Sequence, residues 1–112
     1  MASVQRLQLF AGNISGTTAG DTKTLEGLQT DFVGVLDLSA ISATNVVVKI
    51  QRSHNGSDWF DWITFSTLTA TGKEAKDATV PALSYVRAQC VATGGAATGT
   101  AAVTLHFDKK AK

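Results

Sequence analysis

Hydrophobic and polar residues alternate along much of this chain with a period of two. Val46, Val48 and Ile50 share one side of an extended backbone, while Lys49 and Gln51 share the other. Successive side chains of a β-strand point to opposite faces, so this pattern predicts a strand with one buried face. Similar patterns predict strands at 4–10, 32–38, 59–65, 84–92 and 100–107, with shorter strands near 22–25, at 68–70 and at 75–80, the last two separated by a turn at 72–74.

The periodicity predicts an all-β fold. No stretch of eleven or more residues carries apolar positions at helical spacing without interruption by glycine or β-branched runs. About eight short strands at regular spacing are typical of a two-sheet antiparallel β-sandwich or jelly roll. Residues 32–38 are apolar on both faces, so that strand is expected to be central in its sheet or covered on its outer face.

The most specific local feature is a predicted hairpin over residues 46–65 that turns at His54-Asn55-Gly56. Asn-Gly favours the positive φ angles of a tight turn. The returning strand carries aromatic side chains on both parities, with Trp59 on one and Phe60 and Trp62 on the other. One small core does not require both sets, so we expect the surplus, Phe60 and Trp62, to meet a partner surface.

A length of 112 residues indicates one domain spanning residues 1–112. Residues 13–29 are polar and rich in Gly and Thr, which predicts a loop, and residues 108–112 form a short basic C-terminal tail. Charged residues make up 17% of the chain, below the roughly 25% of typical soluble domains. This neutral surface favours packing against copies of the chain or a large neighbour, because burying unpaired charge is costly.

Charge and motifs argue against several other functions. The formal net charge of +1 gives no electrostatic drive toward nucleic acid or an anionic membrane, and no apolar run could span a bilayer. The N-terminus lacks the pattern of a signal peptide, which predicts a chain made in a cytoplasm. We expect no enzyme activity, cofactor or metal, since nucleophile elbows, phosphate loops, zinc spacings and dinucleotide fingerprints are absent from the sequence. Cys90 lies on an apolar strand face, which predicts a buried, inert thiol.

A carbohydrate site is the main alternative to assembly. Sugar binding uses an aromatic face for stacking and short polar side chains for hydroxyl groups. Trp59 and Trp62, together with His54 and Asn55 in the turn, supply these groups within nine residues. The same side chains could instead fill the core and shape the turn, so the sequence leaves both interpretations open.

Four segments together resemble a known class of protein. These are residues 36–40, 45–53, 55–59 and 84–89, and over residues 32–107 the chain resembles small β-sandwich virion proteins of tailed bacteriophages. The Ser-x-Asn-Gly-x-x-Trp hairpin, here residues 53–59, is also similar to that of galactose-binding, discoidin-like jelly rolls. The chain departs from secreted discoidin-like domains in lacking paired cysteines and a signal peptide.

The phage resemblance implies a structural role. It implies a head decoration (cement) protein or a tail-associated subunit, present in many copies and located in the virion after assembly in the host cytoplasm. Its partners would be copies of itself and other capsid or tail proteins. The discoidin-like resemblance implies binding to cell-surface glycan instead. Both implications are expectations about a class of protein, because these motifs encode architecture more directly than role.

Overall fold

The chain folds into two antiparallel β-sheets that enclose one core. The computed structural model describes residues 2–25, 29–78 and 83–110, and within these ranges every regular element is a strand. The all-β prediction is therefore confirmed. The strands are β1 (Ala2–Ser15), β2 (Thr17–Ala19), β3 (Lys23–Thr24), β4 (Gln29–Ser42), β5 (Asn45–Ser53), β6 (Phe60–Thr64), β7 (Gly72–Asp77), β8 (Tyr85–Thr93) and β9 (Thr98–Lys110).

Each sheet combines strands that are distant in sequence. The first sheet has the order β1-β9-β4-β7, and the second has the order β2-β8-β5-β6, with β3 also paired to β8. β4 lies between β9 and β7, so the expectation of a central strand at residues 32–38 is confirmed. The two ends of the described chain are neighbours, since Ala2 of β1 lies opposite Lys110 of β9.

The predicted alternation of β5 and β8 forms the buried face of the second sheet. Val48 lies opposite Cys90 and Ile50 lies opposite Ala88, and all four side chains are buried. Removing a large aliphatic side chain from water contributes about 1.5–3 kcal/mol, so these strands supply much of the core stability. The opposing face of the first sheet adds Leu9, Ile14, Leu36, Leu38, Val103 and Leu105.

The two sheets approach each other closely at Gly34 of β4. A Cβ atom at this position would lie 2.8 Å from Cδ1 of Ile50 and 3.1 Å from Cζ of Phe65, both in the opposite layer. Real Cβ atoms do not come this close to other atoms, so only glycine fits without movement of its neighbours. Gly34 thus sets the spacing between the layers beside Ile50 and Phe65.

Residues 13–29 contain more strand than predicted: β3 at Lys23–Thr24 matches the short strand expected near 22–25, but the end of β1 and all of β2 were expected as loop. β1 continues to Ser15, the chain crosses to the second sheet at Gly16 with a φ of +59°, and β2 and β3 then pair with β8. Main-chain hydrogen bonds hold this polar segment, such as that from Gly20 N to Ala88 O at 2.9 Å. Such bonds need no apolar side chains, so hydropathy missed them. Residues 26–28 lie outside the described ranges.

Two further predictions are corrected in the first sheet. Residues 72–74, expected as a turn, begin β7, and residues 108–110, expected as a tail, belong to β9. β7 is an edge strand with charged side chains, and two of these form hydrogen bonds to the main chain of the opposite layer. Nζ of Lys76 donates to Thr64 O at 2.7 Å, and Oε1 of Glu74 accepts from Ser66 N at 3.0 Å. Residues 79–82 and 111–112 lie outside the described ranges.

Candidate partner-binding surface

The loop between β5 and β6 is longer than the predicted tight turn and holds its own shape. Residues 54–59 form it, and only Gly56 among them has a positive φ, at +81°. Oδ1 of Asn55 accepts from Ser57 N and Asp58 N at 2.8 and 2.9 Å, and its Nδ2 donates to Asp58 at 2.7 Å. Oγ of Ser53 accepts from Gly56 N at 2.8 Å. Asn55 therefore maintains the loop rather than offering its amide to a ligand.

The ends of this loop carry an exposed aromatic pair, His54 and Phe60. Their ring centroids lie 6.1 Å apart with an interplanar angle of 28°, a stacked arrangement. Phe60 is 50% exposed, and among the side chains that the structure describes it is the one large hydrophobic group that is exposed. We call these two residues the His54–Phe60 pair. Stacking fixes the rings in advance, which lowers the entropy lost when a partner covers them.

Trp62 does not lie on this surface, contrary to expectation. The pairing of β5 with β6 shifts at a bulge, where Ile50 lies opposite Ile63 but Gln51 lies opposite Asp61. The bulge lets Trp62 and Ile63, neighbours in sequence, both face the core. Trp62 is 8% exposed and packs edge-on against Phe32 at 5.0 Å. Strict alternation, on which the prediction depended, fails at this residue.

Trp59 lies on the outer face of the second sheet, at the end of a chain of polar contacts. The guanidinium carbon of Arg87 is 4.4 Å from the centroid of the Trp59 ring, a cation–π contact. Nε of Arg87 donates to Oε1 of Gln51 at 2.9 Å, and Nε2 of Gln51 donates to Asp61 at 3.1 Å. The ion pair between Lys49 and Asp61, at 2.9 Å, is the last contact in this row. This row crosses three strands, from β8 through β5 to β6.

The sequence did not single out Arg87 and Gln51 as members of one site. Their side chains share a face because they are direct cross-strand partners in β5 and β8. Both positions fall on the predicted polar side of their strands, so the register between the strands was the missing signal. The hydrogen bond from Lys49, followed by that from Gln51, lowers the pKa of Asp61. Asp61 is thus held as a carboxylate that bridges two neighbours.

The remaining titratable candidates are dispersed. His54 follows β5 in the second sheet, whereas His106 lies in β9 of the first sheet with Nε2 at 3.2 Å from Oγ1 of Thr104. Cys90 is buried, and burial raises the pKa of its thiol to about 12. Within the described ranges, no three His, Cys, Asp or Glu side chains cluster closely enough to hold a metal ion. These ranges also include no helix with the length and hydropathy needed to span a bilayer.

Comparisons with known proteins identify a similar fold. No protein-family model matches the chain, and no curated protein sequence matches it. The crystal structure of PirA is similar with a TM-score of 0.52 at 10% identity, over 95% of this chain and 92% of PirA. The crystal structure of FlhE aligns with a TM-score of 0.48 at 12% identity, over 99% of this chain and 97% of FlhE. At such low identity the likeness to PirA concerns the fold alone.

Proposed function

We propose that this chain is a non-enzymatic structural subunit of a tailed-bacteriophage virion, either a capsid decoration protein or a tail-associated protein. It would be assembled in the host cytoplasm and would pack against copies of itself and other virion proteins. The observation that carries this proposal is the order of the strands in the two sheets. The resemblance of residues 32–107 to phage virion proteins supports the same role.

The strand order supports a jelly roll as the finer description of the fold. β2 and β3 both pair with β8 along the edge that β5 leaves open, so they are two parts of one interrupted strand. Eight strands then fall into the sheets 1-9-4-7 and 2/3-8-5-6, an order that supports the jelly-roll proposal. Jelly rolls recur in viral capsid proteins and in lectins. The fold therefore favours two roles, assembly and glycan binding.

Surface chemistry favours assembly over glycan binding. The charged fraction is low at 17%, and the His54–Phe60 pair offers an ordered aromatic contact at one end of the second sheet. Protein interfaces are enriched in aromatic residues and depleted of charge at their centres. Trp62, half of the expected sugar platform, is buried. The aromatic surface that remains suits a protein neighbour.

The test is to examine phage particles released by cells that carry the gene. Mass spectrometry of purified particles should find this chain in stoichiometric amounts, and cryo-electron microscopy should place it at regular lattice positions. Particles lacking the chain should recover it when purified protein is added. A chain absent from purified particles, and not taken up by them, would contradict the proposal.

A pair of variants tests the contact itself. Phe60→Ser should reduce binding to particles by about tenfold or more, because a half-exposed aromatic ring buried in an interface contributes at least 1.4 kcal/mol. Thr67→Ser is the matched control, an exposed position beyond the opposite end of β6. The control should bind like the natural chain. Equal binding by both variants would show that the His54–Phe60 pair is not part of the contact.

The second candidate is a carbohydrate-binding module that uses Trp59. Arg87 stacks on the Trp59 ring at 4.4 Å and holds it on the sheet surface, where a sugar ring could lie against it. Glycan-array binding that is lost in Trp59→Ala but kept in Phe60→Ser would favour this module. An array without specific binding would leave the virion role as the better proposal.

A further inference from the structure

The outer face of the first sheet is ordered in rows that cross all four strands. Direct cross-strand partners point to the same face, so the register of β1, β9, β4 and β7 defines each row. The first row is Arg6, His106, Val33 and Asp77. The second is Gln8, Thr104, Val35 and Ala75, and the third is Ala11, Ala102, Asp37 and Lys73. We call these twelve residues the outer face of the first sheet.

The first row of this face carries opposite charges at its two edges. Arg6 begins the first row at the β1 edge, and Asp77 ends it at the β7 edge. Three strand spacings of about 4.8 Å separate them by roughly 14 Å, too far for a direct ion pair. Among the residues that the structure describes, neither takes part in an ion pair. Asp37 and Lys73 differ, because they lie 3.9 Å apart and pair with each other.

The centre of the face carries one acidic side chain, Asp37, which is already paired with Lys73. Val33 and Val35 of β4 lie beside Thr104 and Ala102 of β9, and all four are partly exposed. Small and β-branched side chains make a flat surface that loses little conformational entropy when it is covered. A centre with few charged side chains is also the usual composition of a protein interface.

We propose that a second copy of the chain packs on this face about a two-fold axis parallel to the strands. Such an axis places β1 of one copy over β7 of the other, and β9 over β4. Arg6 then faces Asp77 of the second copy, and the symmetric contact repeats this ion pair at the other edge. In the second row, Thr104 faces Val35. The face is therefore complementary to itself in both charge and shape.

The third row also fits this arrangement. The Asp37–Lys73 pair lies over Ala102 and Ala11 of the second copy, whose small side chains leave room for it. Asp37 and Lys73 stay paired with each other, so packing of the second copy does not break their ion pair. Two sheets packed face to face rotate by about 30°, which the long Arg6 side chain can follow.

The face is large enough for a specific pair. β1, β4 and β9 are 13 or 14 residues long and β7 has six, so at about 4.8 Å between strands and about 3.3 Å per residue the whole outer side of the sheet presents roughly 700 Å² per copy, of which the twelve residues cover about half. Contact over most of this side in both copies would bury about 1,200 Å², at the lower end of the range for stable specific interfaces. The inference goes beyond the virion role, since it concerns the purified chain and requires no particle.

A charge swap tests the inference. The natural chain should form a dimer in analytical ultracentrifugation. Arg6→Asp should weaken this dimer by about a hundredfold, because each dimer contains the altered contact twice and each like-charge contact costs at least a factor of ten. The double variant Arg6→Asp/Asp77→Arg should restore dimerisation, since it rebuilds both ion pairs with their signs exchanged.

The matched control is Arg6→Asp/Asp58→Arg, which has the same composition and net charge as the restoring variant. Asp58 is exposed in the loop between β5 and β6 of the second sheet, so the control should remain dissociated. Circular dichroism and thermal melting establish that every variant is folded. A monomeric natural chain at high concentration, a dimer insensitive to Arg6→Asp, or dimerisation by the Asp58 control would each overturn the proposal.

Discussion

Cys90 shows what burial does to a single reactive group. Its thiol lies on the inner face of β8, opposite Val48 of β5, with no exposed surface. Charge is poorly solvated in this apolar layer, so burial raises the pKa of the thiol from 9.0 to about 12. The sequence correctly predicted a buried thiol from the alternation of β8, because apolar neighbours at every second position define the inner face.

We predict that the Cys90 thiol does not react in the folded protein. At pH 8 a thiol with a pKa of about 12 has a thiolate fraction about a thousandfold below that of a thiol with a pKa of 9.0. A colorimetric thiol reagent should therefore label Cys90 only after denaturant is added. Rapid stoichiometric labelling of the folded chain at pH 8 would contradict the placement of Cys90.

The same shift makes stability depend on alkaline pH. The raised pKa means that the stability contribution is complete below pH 9 and is lost as pH rises toward 12, because the unfolded thiol ionises first. The advantage of the natural chain over Cys90→Ala should fall by roughly 2 kcal/mol between pH 8 and pH 10.5. Urea unfolding of both chains measures this difference. A difference that is constant with pH would be inconsistent with the shift.

At the scale of the element, β4 depends on the absence of a side chain at Gly34. An added methyl group would press on Ile50 and Phe65 of the opposite sheet. Gly34→Ala should lower the free energy of unfolding by about 1–3 kcal/mol, since overpacking displaces buried neighbours. Ile50→Val removes the nearest atom, Cδ1, and should recover part of this loss when the two changes are combined.

Gly72→Ala is the matched control for this prediction. No atom lies within 4 Å of a Cβ added at Gly72, so the change should leave stability nearly unaltered. Urea unfolding of the four variants gives the comparison. Equal stability of Gly34→Ala and Gly72→Ala would show that the sheets are not tightly packed at Gly34.

Elements with regular alternation were predictable from sequence, and those that depend on main-chain pairing were not. β5 and β8 followed from their apolar positions because one face of each is buried. β2 and β7 are polar or charged, and pairing with strands distant in sequence holds them. The candidate surface followed the same rule: Phe60 was predicted to be exposed, whereas the bulge at Trp62 reversed that residue's direction.

At the scale of the whole molecule, the first sheet is built almost entirely from pairings between distant segments. β1 pairs with β9, β9 with β4, and β4 with β7. Closing such long loops costs entropy before the stabilising contacts form, so sheets of this kind fold slowly. The two sheets also share one core, so neither is expected to persist alone.

Refolding should therefore be cooperative and should take milliseconds to seconds. The chain has two tryptophans, so Trp59→Phe leaves Trp62, buried against Phe32, as the reporter of core formation. Stopped-flow fluorescence after dilution from urea measures the rate. Refolding in microseconds would show that local contacts, rather than the distant pairings of the first sheet, limit folding.

The pairing of Ala2 with Lys110 makes this fold a convenient scaffold for genetic engineering. Cross-strand partners have Cα atoms about 5 Å apart, so a linker of a few residues could join the two ends. A circular permutant opened in the loop at residues 94–97 would then preserve every strand. A fluorescent protein fused next to Ala2 or next to Lys110 would project from the same end of the molecule, which is opposite to that loop.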